Sequence, residues 1–107
     1  MRRLGRVLRL REGTEAEYER YHHNVWPEVL AACAKIGIRN YTIFRYERWL
    51  FAYFELPDDC VWDEAVQNLA DCQVCRRWET IMRSLQEPLP ESQGEIWWVP
   101  MREVFHL

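Results

Sequence analysis

The run "RNYTIFRYERWLFAYFEL", Arg39 to Leu56, is dominated by aromatic and aliphatic residues, and the polar pair Glu47-Arg48 divides it. It reads as two antiparallel strands joined by a short turn, because branched and aromatic side chains fit a pleated surface. In the first strand Tyr41 and Ile43 share one face, opposite Asn40 and Thr42. In the second, Leu50, Ala52 and Phe54 alternate with Trp49, Phe51 and Tyr53. Both faces are therefore apolar. A sheet built on this hairpin needs helices over one side and a partner or ligand over the other.

The remaining elements fall in place around the hairpin. Residues 3–10, "RLGRVLRL", set Leu4, Leu8 and Leu10 on one parity with Arg6 as an exception, which predicts a first strand closed by Gly13. Thr14 followed by Glu17 has the spacing of a capping box and predicts a helix start. Pro27 lacks an amide and disfavours a helical Trp26, so the stretch from Thr14 to about Ile36 divides into two helical pieces. The second carries Val29, Ala32, Cys33 and Ile36 on one stripe and stops at Gly37.

After the hairpin, Pro57-Asp58-Asp59 opens a helix bearing Trp62, Ala65, Val66 and Leu69. Asp71 is then expected to cap a further helix with the stripe Cys75, Trp78, Met82 and Leu85. "EPLPESQG", residues 87–94, reads as a loop, and "WWVPMREVFHL", residues 97–107, as a last strand with Pro100 at an edge or bulge. Strand, helix, strand, strand, helix, strand is the order of a ferredoxin-like α+β domain: an antiparallel sheet with helices on one face. The aromatic side chains left on the other face predict a homodimer, a pair of such sheets forming a dimeric α/β barrel.

The 107 residues suffice for one domain, 1–107, with a genuine core and no second unit. Six Trp and five Tyr exceed what that core needs and suggest a ligand face or an interface. A net charge of -3, with the Arg residues scattered among Asp and Glu, argues against nucleic acid as a partner. No run is long enough to span a membrane, and the opening "MRRLGRVLRLREG" lacks the apolar core and cleavage site of a signal peptide. Of the four cysteines, Cys72 and Cys75 form a single CxxC without a second pair or a nearby His, so no metal is expected. Small core residues in a reducing cytoplasm is the better reading.

Candidate chemistry gathers in "YERYHHNVWPEVL", Tyr18 to Leu30. Tyr18 and His22 are one helical turn apart on one face, and Trp26 falls just beyond the break. Histidine transfers protons in either direction near neutral pH, so an enzymatic reading of this stretch is proton transfer. The competing reading is a packed histidine beside a core tyrosine; His23 points away and is expected in solvent. Tyr41 and Trp78 are each either core residues or flat walls against the C–H surface of a sugar ring. His106 is either a surface residue or a second polar group at the site.

Tyr18, His22, "VWPE" at Val25–Glu28, Asn40-Tyr41, "VCRRW" at Val74–Trp78 and the ending "EVFHL" together resemble the L-rhamnose mutarotase family over nearly the whole chain. The resemblance implies a small cytoplasmic dimer of ferredoxin-like domains that interconverts the α and β anomers of a deoxy-hexopyranose without a cofactor. It implies His22 as proton donor, Tyr18 and Tyr41 as sugar contacts, and Trp78 as a wall of the pocket. Trp26 or Trp78 is a candidate holder of the C5 methyl group. The family pattern has a second tryptophan after Arg-Trp where this chain has Glu79, an acceptor for sugar hydroxyls. L-fucose or another 6-deoxy-hexose is therefore an alternative to L-rhamnose. A non-catalytic sugar-binding relative and a haem-binding or monooxygenase member of the same barrel class are the other readings.

Overall fold

The computed structural model describes the backbone of residues 1–107 and every side chain except that of Asp63. Five strands and four helices alternate as β1 (Arg2–Leu10), α1 (Glu15–His22), α2 (Pro27–Ile36), β2 (Arg39–Tyr46), β3 (Trp49–Leu56), α3 (Trp62–Ala70), α4 (Gln73–Leu85), β4 (Gln86–Glu87) and β5 (Val99–Met101). The strands form one antiparallel sheet in the order β2-β3-β1-β4, and β5 also pairs with β1. This is the expected ferredoxin-like α+β arrangement.

The hairpin forms where its composition places it, with Glu47 turning the chain at a φ of 53°. Leu8 and Leu50 are direct cross-strand partners, and with Leu10 and Leu56 they are fully buried. Leu10 and Leu50 pack with Tyr18 of α1 and with Trp78, Met82 and Leu85 of α4, while Val29 of α2 borders the cluster. The helices therefore cover the Leu10 side of the sheet. Burying side chains of this size is worth about 1.5–3 kcal/mol each, which makes this layer the main source of stability.

The break at Pro27 is as expected. α1 stops at His22, Trp26 is extended (φ -61°, ψ 136°), and α2 restarts with Pro27 in its first turn. The capping box does not form. The Thr14 hydroxyl instead donates to the carbonyls of Arg11 and Leu85, 2.8 Å from each, and so ties the start of α1 to the end of α4. α3 starts at Trp62, later than expected, because a turn from Pro57 to Cys60 comes first (Cys60 N–H to Pro57 O, 3.0 Å). Asp71 keeps helical dihedrals and closes α3, so it does not cap α4. The extended Cys72 does so, its thiol accepting the Cys75 amide at 3.2 Å.

The last strand is shorter than its sequence suggests. β4 and β5 share one edge of β1: Arg9 and Leu10 pair with Glu87 and Gln86, while Gly5, Arg6 and Val7 pair with Met101, Pro100 and Val99. Pro100 sits on the outermost strand, where its missing amide is tolerated. Arg102–Leu107 continue beyond the sheet, exposed throughout.

Gly37 terminates α2 in the left-handed region at φ +94°, and a Cβ there would lie 2.8 Å from Pro57 Cγ. Gly37→Ala is expected to cost about 1–3 kcal/mol from backbone strain and crowding. Urea unfolding measures this as a lower midpoint, and an unchanged midpoint would refute the strained cap.

Candidate active site

The break between α1 and α2 and the inner face of α4 bring the N-terminal candidates together. Tyr18 and His22, one turn apart, stack at 4.2 Å between ring centroids. Trp78 meets His22 edge-on at 5.5 Å, Trp26 at 5.2 Å and Tyr21 at 5.9 Å. Trp78 is thus a buried core residue, the first of the two readings its spacing allowed, and its ring packs against the histidine.

His22 is held in one tautomer. Its Nδ1 lies 2.9 Å from the Tyr18 carbonyl oxygen, which can only accept, so Nδ1 carries the hydrogen and Nε2 is left with a lone pair. Partial burial holds the imidazole below its ordinary pKa, and the carbonyl only partly offsets that. Neutral imidazole is therefore the resting form at pH 7. His23 lies exposed at the end of α1.

Tyr41 and Glu79 lie near this aromatic group. Tyr41 sits on the helix-facing side of β2, its ring 5.3 Å from that of Phe54, yet it is 46% exposed. Even so, surrounding protein pushes its hydroxyl well above the ordinary phenol range, and Glu79 and Cys33 add to the shift. Glu79 is likewise exposed, and desolvation raises its carboxyl, with Arg83 pulling the other way. Tyr41 and Glu79 are thus solvent-accessible side chains with protein packed close around them. The Glu79 charge is felt at both the buried Tyr18 and the exposed Tyr41, which places the three in one neighbourhood.

All six sequence candidates, Tyr18, His22, Trp26, Tyr41, Trp78 and Glu79, thus line or border one region. His106 does not join them. It lies with Phe105 in a groove of about 610 Å³ between β1, Tyr53 and the C-terminal tail. Two polar residues of the region were not anticipated. Gln86 is buried beside the Tyr18 hydroxyl, and Arg6 lies on the helix-facing side of β1. The only sequence signal for Arg6 is its break in the leucine parity, and Gln86 gave none. Among the described residues, no three His, Cys, Asp or Glu side chains converge as a metal-ligand set.

An α+β sheet domain with a tethered neutral histidine set among aromatic rings defines a class of small proteins suited to proton transfer. Comparison with known proteins narrows that class. The L-rhamnose mutarotase family profile matches residues 3–107, and the chain belongs to that family. An L-rhamnose mutarotase of Lactiplantibacillus plantarum is 33% identical, over 100% of this chain and 99% of its own length. One from Lachnoclostridium phytofermentans is 34% identical, covering 94% and 92%. The crystal structure of an L-rhamnose mutarotase from Formosa agariphila shares the fold at a TM-score of 0.77 with 24% identity, covering 100% of this chain and 99% of that one.

The depressed basicity of His22 is directly measurable. Its imidazole carbon-bound proton signal is expected to titrate with a midpoint below 6.5 in the folded protein. A midpoint at or above 6.5 would mean that the ring is better solvated than its position between Tyr18 and Trp78 indicates.

Proposed function

We propose that the protein is a mutarotase that interconverts the α and β anomers of L-rhamnopyranose by acid–base ring opening and closure. The observation that carries this reading is the tethered His22 set among aromatic rings, in a chain that belongs to this family almost end to end. Ring opening takes a proton from the anomeric hydroxyl and puts one on the ring oxygen; rotation about the C1–C2 bond and reclosure then give the other anomer. The two oxygens are bonded to the same carbon, so a single group beside it reaches both.

In this reading the Nε2 lone pair of His22 takes up the anomeric proton, and the imidazolium then donates it to the ring oxygen. Tyr18 and Tyr41 bind sugar hydroxyls, both phenols remaining protonated at neutral pH. Trp78 and Trp26 supply flat apolar surface for the C–H face and the C5 methyl group. Glu79, with its raised carboxyl, accepts hydrogen bonds from hydroxyls. That carboxylate, where the family pattern has tryptophan, favours one second reading: a 6-deoxy-hexose with another hydroxyl arrangement, such as L-fucose.

The second copy of the chain belongs to the same proposal. Phe44 and Phe51 are cross-strand partners on the sheet face away from the helices, next to Tyr46 and Trp49. Phe44 is 62% exposed, Tyr46 69% and Phe105 of the tail 78%. Patches of this kind on a sheet face are associated with subunit contact. With four free cysteines, such a dimer suits the reducing cytoplasm.

Exchange NMR on L-rhamnose at anomeric equilibrium is expected to show faster interchange of the α and β signals when the protein is added. His22→Asn is expected to lower the catalysed rate by about 10²- to 10⁴-fold while leaving sugar binding within about threefold. An unchanged rate would remove His22 from the mechanism. Light scattering should give twice the 13.1 kDa chain mass, and Phe51→Glu should shift it toward a single chain. A wild-type mass of one chain overturns the dimer.

A further inference from the structure

Arg6 is the one basic residue in the helix-facing row Leu4, Arg6, Leu8, Leu10 of β1. Its guanidinium carbon lies 5.6 Å from the Phe54 ring centre and 5.8 Å from that of Trp62. Phe54 in turn touches Tyr41, so Arg6 and Tyr41 flank the same ring. The Tyr41 hydroxyl experiences Arg6 and Glu79 in opposite senses, the cation lowering its pKa and the carboxylate raising it.

The guanidinium is poorly partnered for a group in that position. It has five N–H donors. Its hydrogen bond among the described residues goes to the Gly5 carbonyl at 3.0 Å, and no described carboxylate lies within ion-pair distance. Partial burial also weakens its hold on its proton, as expected for a cation moved out of water without a counter-charge. Donors left in that state favour a ligand that brings oxygens to them.

Its place along the strand says which part of a sugar it would meet. Leu10 packs in the cluster that holds Tyr18 and Trp78, and Arg6 lies four residues earlier on the same face. Arg6 and Tyr41 flank the Phe54 ring, so in this reading a pyranose with C1 at His22 and hydroxyls by Tyr41 turns its remaining edge, the C3–C4 side, toward Arg6. The planar fork of a guanidinium suits two neighbouring oxygens.

We propose that Arg6 is a specificity-determining sugar contact, donating hydrogen bonds to the C3 and C4 hydroxyls at the edge of the ring remote from His22. It takes no part in proton transfer. L-Rhamnose and L-fucose differ in configuration at C2 and C4, so this contact bears directly on which of them the cleft accepts. The proposal rests on a sugar occupying the cleft as described above.

The test compares wild-type protein with Arg6→Met on L-rhamnose and its 3-deoxy and 4-deoxy analogues, using exchange NMR to obtain kcat and KM separately. Arg6→Met is expected to raise KM for L-rhamnose by about tenfold to a hundredfold, the range for a hydrogen bond to a charged group, with kcat changed by less than about threefold. Wild-type protein is expected to discriminate against at least one deoxy sugar by about tenfold, and the variant to lose that discrimination. Equal treatment of all three sugars by wild type, or discrimination unchanged in the variant, overturns the proposal without touching the mutarotase reading. That reading fails by a different result, no accelerated exchange with wild type. Calorimetry on L-rhamnose then decides the contact: weaker binding by Arg6→Met supports it, and equal Kd values or no binding by either protein overturns it. Should Arg6→Met not fold, the wild-type comparison of the three sugars decides it alone.

Discussion

The missing amide of Pro27 is the constraint on which the cleft depends. A continuous helix from Glu15 to Ile36 would carry His22 and Trp26 at successive positions of one straight face. The break lets α1 and α2 diverge, with Trp26 extended between them, so that His22 and Trp26 approach the same Trp78 ring from different elements. Trp78 is thereby fixed from two directions, and α4, which carries it, lays Glu79 alongside Tyr18 and Tyr41. A local rule about one residue type thus sets the width of the site.

Much of this was legible in the sequence because it depends on short-range rules. The hairpin followed from β-branched and aromatic content, the two-piece helix from Pro27, and the end of α2 from Gly37. Tyr18 and His22 lie within one helical turn, so spacing alone placed them together. The family resemblance, carried by motifs distributed from Tyr18 to Leu107, supplied the chemistry that spacing could not.

The misreadings arose where other hydrogen bonds, some local and one long-range, redirected the signals. Thr14 had the spacing of a capping box, but its hydroxyl found the Leu85 carbonyl, 71 positions away, a competitor that no window around α1 contains. Asp71 looked like a cap because of its type, yet the preceding helix claimed its backbone and left the task to a thiol. Gln86 and Arg6 went unassigned because their meaning comes from what lies across the sheet. Arg6 at least announced itself by interrupting a leucine row.

The partner that holds His22 has a kinetic consequence. A carboxylate behind the imidazole would stabilise imidazolium as an ion pair and lengthen the stay of each proton on the ring. The Tyr18 carbonyl orients the ring without bringing a full counter-charge, and the imidazole stays below its ordinary pKa. Anomer exchange has to run forward and backward at similar rates, because neither anomer lies far below the other. In the proposed reaction, a ring that gives up its proton readily serves ring opening and reclosure alike, and His22 ends each turnover in the form in which it began.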